Sequence, residues 1–243
     1  MTTQFEDSLK MSAYNVARDA CLFSYNYCVV NSIIDRYSPQ LIIWENDFDC
    51  LYERYEDSLE QLYPYYRSNI WVTQIIDEQL TWKERVMLNS RIYRYNSIVH
   101  RIVAHYFKGQ SAIDTEKGYI PLTPKNLKNP LKLNNEEQLT FELSEKKIAH
   151  LRSVFQKTRA RGIKLVMVDS PKYKIGNTNT LSRMKMKKIC EEYDIIFLDN
   201  TQLAEINSHR EYFNDNIHLN ATGAAHYTKI FINQILQDNK VIN

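Results

Sequence analysis

The residues best suited to chemistry lie near the C-terminus, where an aspartate and a histidine are three positions apart. Asp215 and His218 precede a segment in which Tyr227 and Phe231 are four positions apart, a spacing that predicts an amphipathic helix. Asn220 is expected to cap that helix, because its side-chain oxygen can accept the free N–H groups of the first turn. A carboxylate beside an imidazole fixes the imidazole tautomer and stabilises the imidazolium. The pair is therefore suited to a general base, although a D-x-x-H spacing alone is more typical of a capped helix that follows a polar turn.

A second polar cluster, Trp44-Glu45-Asn46-Asp47, directly follows the apolar run Leu41–Trp44, which predicts a buried strand. Ligands of doubly wound sheets bind beyond the carboxyl ends of the strands, so this cluster is well placed for a site. An Asn side-chain amide can donate to the oxygen of a tetrahedral intermediate, which makes Asn46 a candidate oxyanion donor. Asn46 and Asp47 are also typical of an Asx turn that ends a strand.

The composition is that of an enzyme-sized globular domain. The 243 residues suffice for one sizeable core and predict a single domain over residues 1–243. A net charge of +2 gives no strong electrostatic basis for nucleic-acid binding, and no such binding is expected. No apolar run is long enough to span a bilayer, no signal-peptide pattern is visible, and the four cysteines lack metal-ligand spacing. We therefore expect no membrane span, no metal and no other cofactor, and the sequence predicts no particular compartment.

Apolar strands alternate with amphipathic helices along most of the chain, which predicts an α/β fold with a parallel sheet covered on both faces. Strands are expected at four segments: Ser12–Val16, Leu41–Trp44, Ile163–Val168 and Ile195–Leu198. Helices are expected over three further segments: Leu22–Tyr37, the stretch from a cap at Ser144 to Gly162, and Leu181–Tyr193.

The middle of the chain, about residues 51–135, does not fit a minimal α/β unit and predicts a helical and loop insertion. Thr81 and Glu84 form a capping box, and apolar residues follow at four- and three-residue steps as far as Gly109. This pattern predicts one long amphipathic helix. The tyrosines that precede it suit stacking on sugar rings, but their spacing favours core packing. An insertion of this kind is expected at the mouth of the site, where it would shape the substrate pocket.

Three motifs resemble those of the SGNH (GDSL-like) hydrolases. The run Phe213-Asn-Asp-Asn-Ile-His218-Leu-Asn-Ala-Thr-Gly223-Ala is similar to the last motif block of that family. Asn46-Asp47 resembles its G-x-N-D block, with Trp44 in place of the glycine. The segment Tyr14-Asn-Val-Ala-Arg-Asp-Ala20 resembles a Y-N-x-G-R-D-G pattern of some bacterial members, with alanines replacing both glycines.

The resemblance implies a flavodoxin-like three-layer α/β/α fold and the hydrolysis of carboxylic esters, including O-acyl groups on carbohydrates. A small-molecule or glycan ester is the implied substrate. In the family a serine attacks the acyl carbonyl. His218 would then be the general base, Asp215 its orienting carboxylate and Asn46 an oxyanion donor. We expect Asp215 and His218 to be within hydrogen-bond reach of each other, and Asn46 to lie at the same end of the sheet.

The family's nucleophile, a serine at the end of the first, central strand, has no convincing counterpart. Ser8 lies in Glu6-Asp7-Ser8-Leu9, too close to Tyr14 for a nucleophile turn, a helix and a return strand, and Phe5–Leu9 is expected to end a helix. Ser170 follows a predicted strand, but Pro171 has no N–H for an oxyanion hole. The sequence therefore predicts an N-terminally truncated or degenerate member without the central strand. The two strands beside the gap, Ser12–Val16 and Leu41–Trp44, are expected to pair directly, or the chain to be poorly soluble.

Three functions follow from this reading of the chain. The first is an ester hydrolase whose nucleophile is not in the chain. The second is a non-catalytic homologue that binds an acylated glycan or lipid. The third is a polysaccharide O-acetyltransferase, since related Ser-His-Asp sites also move acetyl groups onto hydroxyls.

Overall fold

The computed structural model of the chain describes residues 1–18, 21–46, 50–53, 59–96, 98–108, 117–124, 141–173 and 180–238. Within these ranges three parallel strands form one sheet in the spatial order β1 (Leu41–Glu45), β2 (Lys164–Asp169) and β3 (Ile196–Asp199). Leu41 is paired with Lys164, and Val166 with Ile196. The predicted α/β class with a parallel sheet is confirmed.

The described helices precede, separate and follow these strands. They are α1 (Thr2–Leu9), α2 (Phe23–Tyr37), α3 (Ile70–Gln79), α4 (Trp82–Met87), α5 (Arg91–Asn96), α6 (Val99–Lys108), α7 (Glu145–Ala160), α8 (Leu181–Glu192), α9 (Ala204–Asn207) and α10 (Ala221–Gln237). Short 3-10 turns occupy Leu59–Tyr65 and Arg210–Tyr212.

Helices pack on both faces of the sheet because the side chains of a strand alternate between its two sides. Leu165 and Met167 of β2 are buried in a core that α2, α3, α7 and α8 complete. Val166 and Val168 are buried in a second core, formed with α1, α9 and α10.

Side-chain caps fix the starts of the main helices where the sequence predicts them. Thr81 and Glu84 form the capping box of α4, and the Ser144 hydroxyl accepts from the first turn of α7. The side-chain oxygen of Asn220 accepts from two N–H groups of α10. Each cap satisfies donors that the first turn of a helix leaves without a partner.

The strand predicted at Ser12–Val16 is wrong. This segment belongs to no strand, and its Tyr14 and Val16 side chains are exposed, so no burial favours pairing with the sheet. Its backbone is satisfied locally instead, since Ala13 N donates to Glu6 Oε1 at 2.9 Å and Asn15 N to Lys117 O at 2.9 Å. The predicted direct pairing of this segment with β1 therefore does not occur, and among the described residues β1 pairs on one side only.

The single long helix predicted after Thr81 is also wrong, because α4, α5 and α6 divide that segment. Leu88 is fully buried, and the chain turns through Asn89 and Ser90, whose N–H groups bond carbonyls three residues back. Short polar side chains compete with the helical backbone for hydrogen bonds and favour such breaks. Arg94 Nε closes the turn by donating to Leu88 O at 2.6 Å. Gly109, the predicted end of the helix, lies outside the described residues.

Candidate active site

Asp215 and His218 are in direct contact, which confirms the geometry that their spacing predicts. Asp215 Oδ2 lies 2.7 Å from His218 Nδ1. The other carboxylate oxygen, Oδ1, accepts from the backbone N–H groups of Ile217 at 2.8 Å and His218 at 2.7 Å. One aspartate therefore fixes both the backbone turn and the imidazole ring. About half of each side chain is exposed, so the ring is fixed and still accessible.

The loop that carries this pair is tied to the carboxyl end of the sheet. Asn214 N donates to His218 O at 2.8 Å, and Phe213 forms a β-bridge with Leu219. Tyr173, four residues beyond β2, donates its N–H to Asn216 O at 2.8 Å. These bonds hold the turn from both sides and place His218 at the end of the sheet where ligands of parallel α/β folds bind.

The asparagine and glycine of the same motif dock α10 against the preceding turn. Asn220 Nδ2 donates to Glu211 O at 2.6 Å, while its Oδ1 accepts from Thr222 N and Gly223 N, both at 3.0 Å. A Cβ on Gly223 would lie 2.3 Å from Tyr212 O, so only glycine permits this approach. The H-L-N-x-x-G spacing therefore positions the histidine through packing of the helix start.

The local hydrogen bonds keep Asp215 charged. Partial burial opposes ionisation, but the donors from the His218 ring and from the Ile217 and His218 N–H groups outweigh it, so the pKa of Asp215 is lowered. An ionised Asp215 accepts the Nδ1 proton, which leaves the lone pair on Nε2. Among the described residues Nε2 has no hydrogen-bond partner.

Asn46 lies at the same end of the sheet, as predicted, but its side chain is engaged elsewhere. It directly follows β1, is buried, and donates from Nδ2 to Asp169 Oδ1 at 2.7 Å. Its Oδ1 accepts from Cys50 Sγ at 3.4 Å. Within the described part of the chain no hydrogen bond joins Asn46 to His218 or Asp215, so its oxyanion role stays a prediction. Asp47 lies outside the described residues.

A buried ion pair holds the partner of Asn46. Arg183 Nε lies 2.5 Å from Asp169 Oδ2, and both side chains are almost fully buried. Burial raises the pKa of Asp169, although Arg183 and Asn46 both oppose this by donating to the carboxylate. The arginine also contacts Asp199 at the end of β3. This network fixes the ends of β2 and β3 and the orientation of the Asn46 amide.

A second cluster lies on the face of the sheet that α10 covers, and sequence reasoning missed it. Glu45 accepts from Ser170 Oγ at 2.5 Å and from Ser170 N at 2.9 Å. Glu45 keeps contact with solvent, yet desolvation of its carboxyl group raises its pKa to about 7 against the lowering effect of both Ser170 bonds. The Tyr227 hydroxyl lies beside Ser170 and accepts from Asn200 Nδ2 at 3.1 Å.

The sequence contains one indication of this cluster, which is that three of its polar residues lie at the ends of predicted strands. Glu45 ends β1, Ser170 follows β2 and Asn200 follows β3, and the carboxyl ends of neighbouring parallel strands meet at one edge. The sequence alone makes Ser170 a candidate but does not pair it with Glu45, from which it is separated by 125 positions.

A surface cavity of about 240 Å³ opens at the opposite end of the sheet. Its lining includes Ile163, Lys164 and Ile195, which precede or begin β2 and β3. The Asp215–His218 pair lies at the other end, and we place the candidate site there because the pair combines an oriented base with solvent access.

Comparisons with other proteins identify no family, since no protein-family model, curated protein or solved structure matches the chain.

Within the described residues no group of His, Cys, Asp and Glu side chains is arranged to hold a metal ion. None of the helices in those ranges is both long and apolar enough to cross a bilayer.

Proposed function

We propose that the chain is an SGNH-hydrolase-like domain of flavodoxin-like α/β/α architecture that acts on carboxylic esters or derives from enzymes that do, with the nucleophilic serine not present in this chain. His218 is the general base and Asp215 its orienting carboxylate. The observation that carries this proposal is the 2.7 Å contact between Asp215 Oδ2 and His218 Nδ1, with Asp215 Oδ1 held by two backbone N–H groups. A base fixed in this way at the carboxyl end of a parallel sheet is suited to acyl transfer.

In this proposal His218 Nε2 takes a proton from the hydroxyl group that attacks the acyl carbonyl. Asp215 stabilises the imidazolium that forms, and the proton then passes to the departing alcohol. Base catalysis of this kind contributes on the order of 10²–10⁴-fold in rate. The substrate class is an O-acyl ester, with acylated carbohydrate as the favoured alcohol. An acetyltransferase would use the same base with a carbohydrate hydroxyl as the acceptor.

The described residues do not supply the attacking hydroxyl group. No described serine lies within hydrogen-bond reach of His218 Nε2, and the Ser170 hydroxyl donates to Glu45 instead. This observation favours a second candidate function, in which the same site binds an acyl ester without turning it over. In the family that the motifs resemble, the serine follows a central strand, and the unpaired side of β1 among the described residues is compatible with such a strand.

Titration with a tetrahedral anion tests the ester site directly. The imidazole resonances of ¹³C-labelled protein are followed by NMR while ethyl methylphosphonate, a mimic of the tetrahedral intermediate, is added. We expect the His218 resonance, which its absence from His218→Gln identifies, to shift and saturate, and the shift to weaken in Asp215→Asn. His209→Gln is the matched control, because His209 is an exposed imidazole paired with Glu211 at 2.9 Å in the same region. A folded protein whose His218 resonance does not respond would overturn the proposal.

Labelling with a fluorophosphonate probe separates the two candidate functions. We expect the chain alone to remain unlabelled and to show negligible turnover of p-nitrophenyl acetate, because loss of the serine removes most of the rate of a Ser-His-Asp site. Labelling that is abolished by Ser8→Ala or Ser170→Ala would identify a nucleophile in this chain and favour the hydrolase. Phosphonate binding without labelling would favour the binding homologue.

A further inference from the structure

Helix α6 carries a continuous apolar face that is open to solvent. Its apolar residues recur at positions i, i+3, i+4, i+7 and i+8, the spacing of one helix face: Val99, Ile102, Val103, Tyr106 and Phe107. Their exposed fractions run from 48% for Val103 to 84% for Tyr106. No described helix or strand packs extensively against α6. An exposed apolar patch of this kind is typical of a surface that binds another protein or a membrane.

The intervening positions of α6 carry two cationic residues, Arg101 and Lys108, two histidines, His100 and His105, and Ala104. None of these positions is acidic. Residues 82–108 contain six Lys or Arg and one Glu, a net charge of +5, of which Arg85 pairs with Asp77 and Arg94 donates to the Leu88 and Tyr66 carbonyls. The whole chain has a net charge of only +2, so the bias is local to this segment.

The preceding helices add apolar surface. Trp82 and Val86 of α4 and Ile92 of α5 are exposed. Lys83 lies over the Trp82 ring at 5.9 Å, so an aromatic side chain and a cation share one surface there. We call the exposed surface of α4, α5 and α6 the helical surface.

We propose that the helical surface binds the face of an anionic lipid bilayer, with the apolar side of α6 entering the boundary between headgroups and acyl chains. A helix with aromatic and aliphatic residues on one side and basic residues on the other fits such an interface, because the bilayer offers an apolar layer directly beneath negative charge. The positive charge of the helical surface favours an anionic bilayer over a second copy of the chain, because the helical surfaces of two copies would repel each other. This activity goes beyond the proposed ester chemistry.

Vesicle flotation of the full chain tests the proposal. We expect the protein to float with vesicles made of equal parts phosphatidylcholine and phosphatidylglycerol, and to float much less with phosphatidylcholine alone. Binding should weaken as sodium chloride is added, because salt screens the attraction between basic side chains and anionic lipid. Absence of flotation with the anionic vesicles would overturn the proposal.

A double substitution on α6 locates the contact. Tyr106→Ser with Phe107→Ser removes two exposed rings that contact each other, so the core is left intact. We expect the variant to lose roughly tenfold or more in vesicle affinity, because two aromatic rings no longer enter the bilayer. The matched control, Tyr37→Ser with Ile70→Ser, removes two side chains of similar exposure on other helices and should bind like the original chain. Equal losses in both variants, or none in the first, would contradict the assignment to α6.

A third variant keeps the apolar face and reports insertion. Relative to the original chain, which has three tryptophans of its own, Tyr106→Trp should show an additional blue-shifted tryptophan emission when anionic vesicles are added, since the new ring leaves water. An unshifted emission, in a protein that binds the vesicles, would contradict insertion of α6. Sedimentation gives the remaining outcome: a dimer that the double substitution dissociates, without vesicle binding, would assign the helical surface to a second copy and overturn the membrane proposal.

Discussion

Asp215 acts on His218 through both of its carboxylate oxygens. One oxygen accepts from two backbone N–H groups and shapes the turn, and the other accepts from the imidazole ring. These bonds lower the pKa of Asp215, so the carboxylate stays charged at neutral pH. The three-residue spacing of Asp215 and His218 matters because the tight turn between them brings Asp215 Oδ2 within hydrogen-bond distance of His218 Nδ1.

Glu45 should make the stability of the protein depend on pH. Its pKa is about 7 in the folded protein and close to 4.5 in an unfolded chain, so the folded state holds the proton between these values. Stability should therefore fall as pH rises through this window. Glu45→Gln should flatten that slope, because an amide can still accept from Ser170 N and donate to Ser170 Oγ.

Urea unfolding at a series of pH values measures this effect. Glu205→Gln, which removes an exposed carboxylate on α9, is the control and should leave the slope as it is. An unchanged slope in Glu45→Gln would show that this carboxyl group does not titrate as the structure indicates.

At the scale of elements, the helix caps and the buried strands were predictable because their signals are local. Leu41–Trp44 is a continuous apolar run, and the caps at Ser144 and Asn220 depend on residues within one turn. The strand prediction at Ser12–Val16 is wrong because a strand needs a partner strand and a buried side, and neither can be deduced from five residues. The Glu45–Ser170 pair joins the ends of two strands that are neighbours only in the folded sheet.

Gly223 provides a test of how α10 positions the histidine turn. Gly223→Ala would place a Cβ 2.3 Å from Tyr212 O, so the helix start must shift away from the turn. We expect a loss of roughly 1–3 kcal/mol in the free energy of unfolding, as for other overpacked sites. Urea denaturation measures it, with Thr222→Ala on the exposed side of the same turn as the control. A variant as stable as the original chain would show that this close approach does not hold the helix in place.

At the scale of the whole molecule, the sheet formed by the described residues has an edge at β1. Among the described residues β1 pairs only with β2, and Ile43 on this strand is partly exposed. Open strand edges with apolar side chains promote association between chains, and a lysine there suppresses it. We expect sedimentation velocity to show association that increases with protein concentration and that Ile43→Lys reduces.

The matched control for the sheet edge is Ile70→Lys, which adds the same charge at a more exposed isoleucine on α3. Association that both substitutions reduce equally would reflect net charge alone. A chain that remains monomeric at all concentrations would show that the edge of β1 is already protected.

The tautomer of His218 tests the central claim most directly, because a general base must carry its lone pair on Nε2. Long-range ¹H–¹⁵N NMR correlations of the imidazole ring, recorded above the pH at which histidine is protonated, distinguish the two nitrogens. The Asp215–His218 contact of 2.7 Å predicts that Nδ1 carries the proton in the original chain, and that Asp215→Ala loses this preference. A His218 ring protonated on Nε2 in the original chain, or unchanged in Asp215→Ala, would contradict the assignment of the pair as an oriented base.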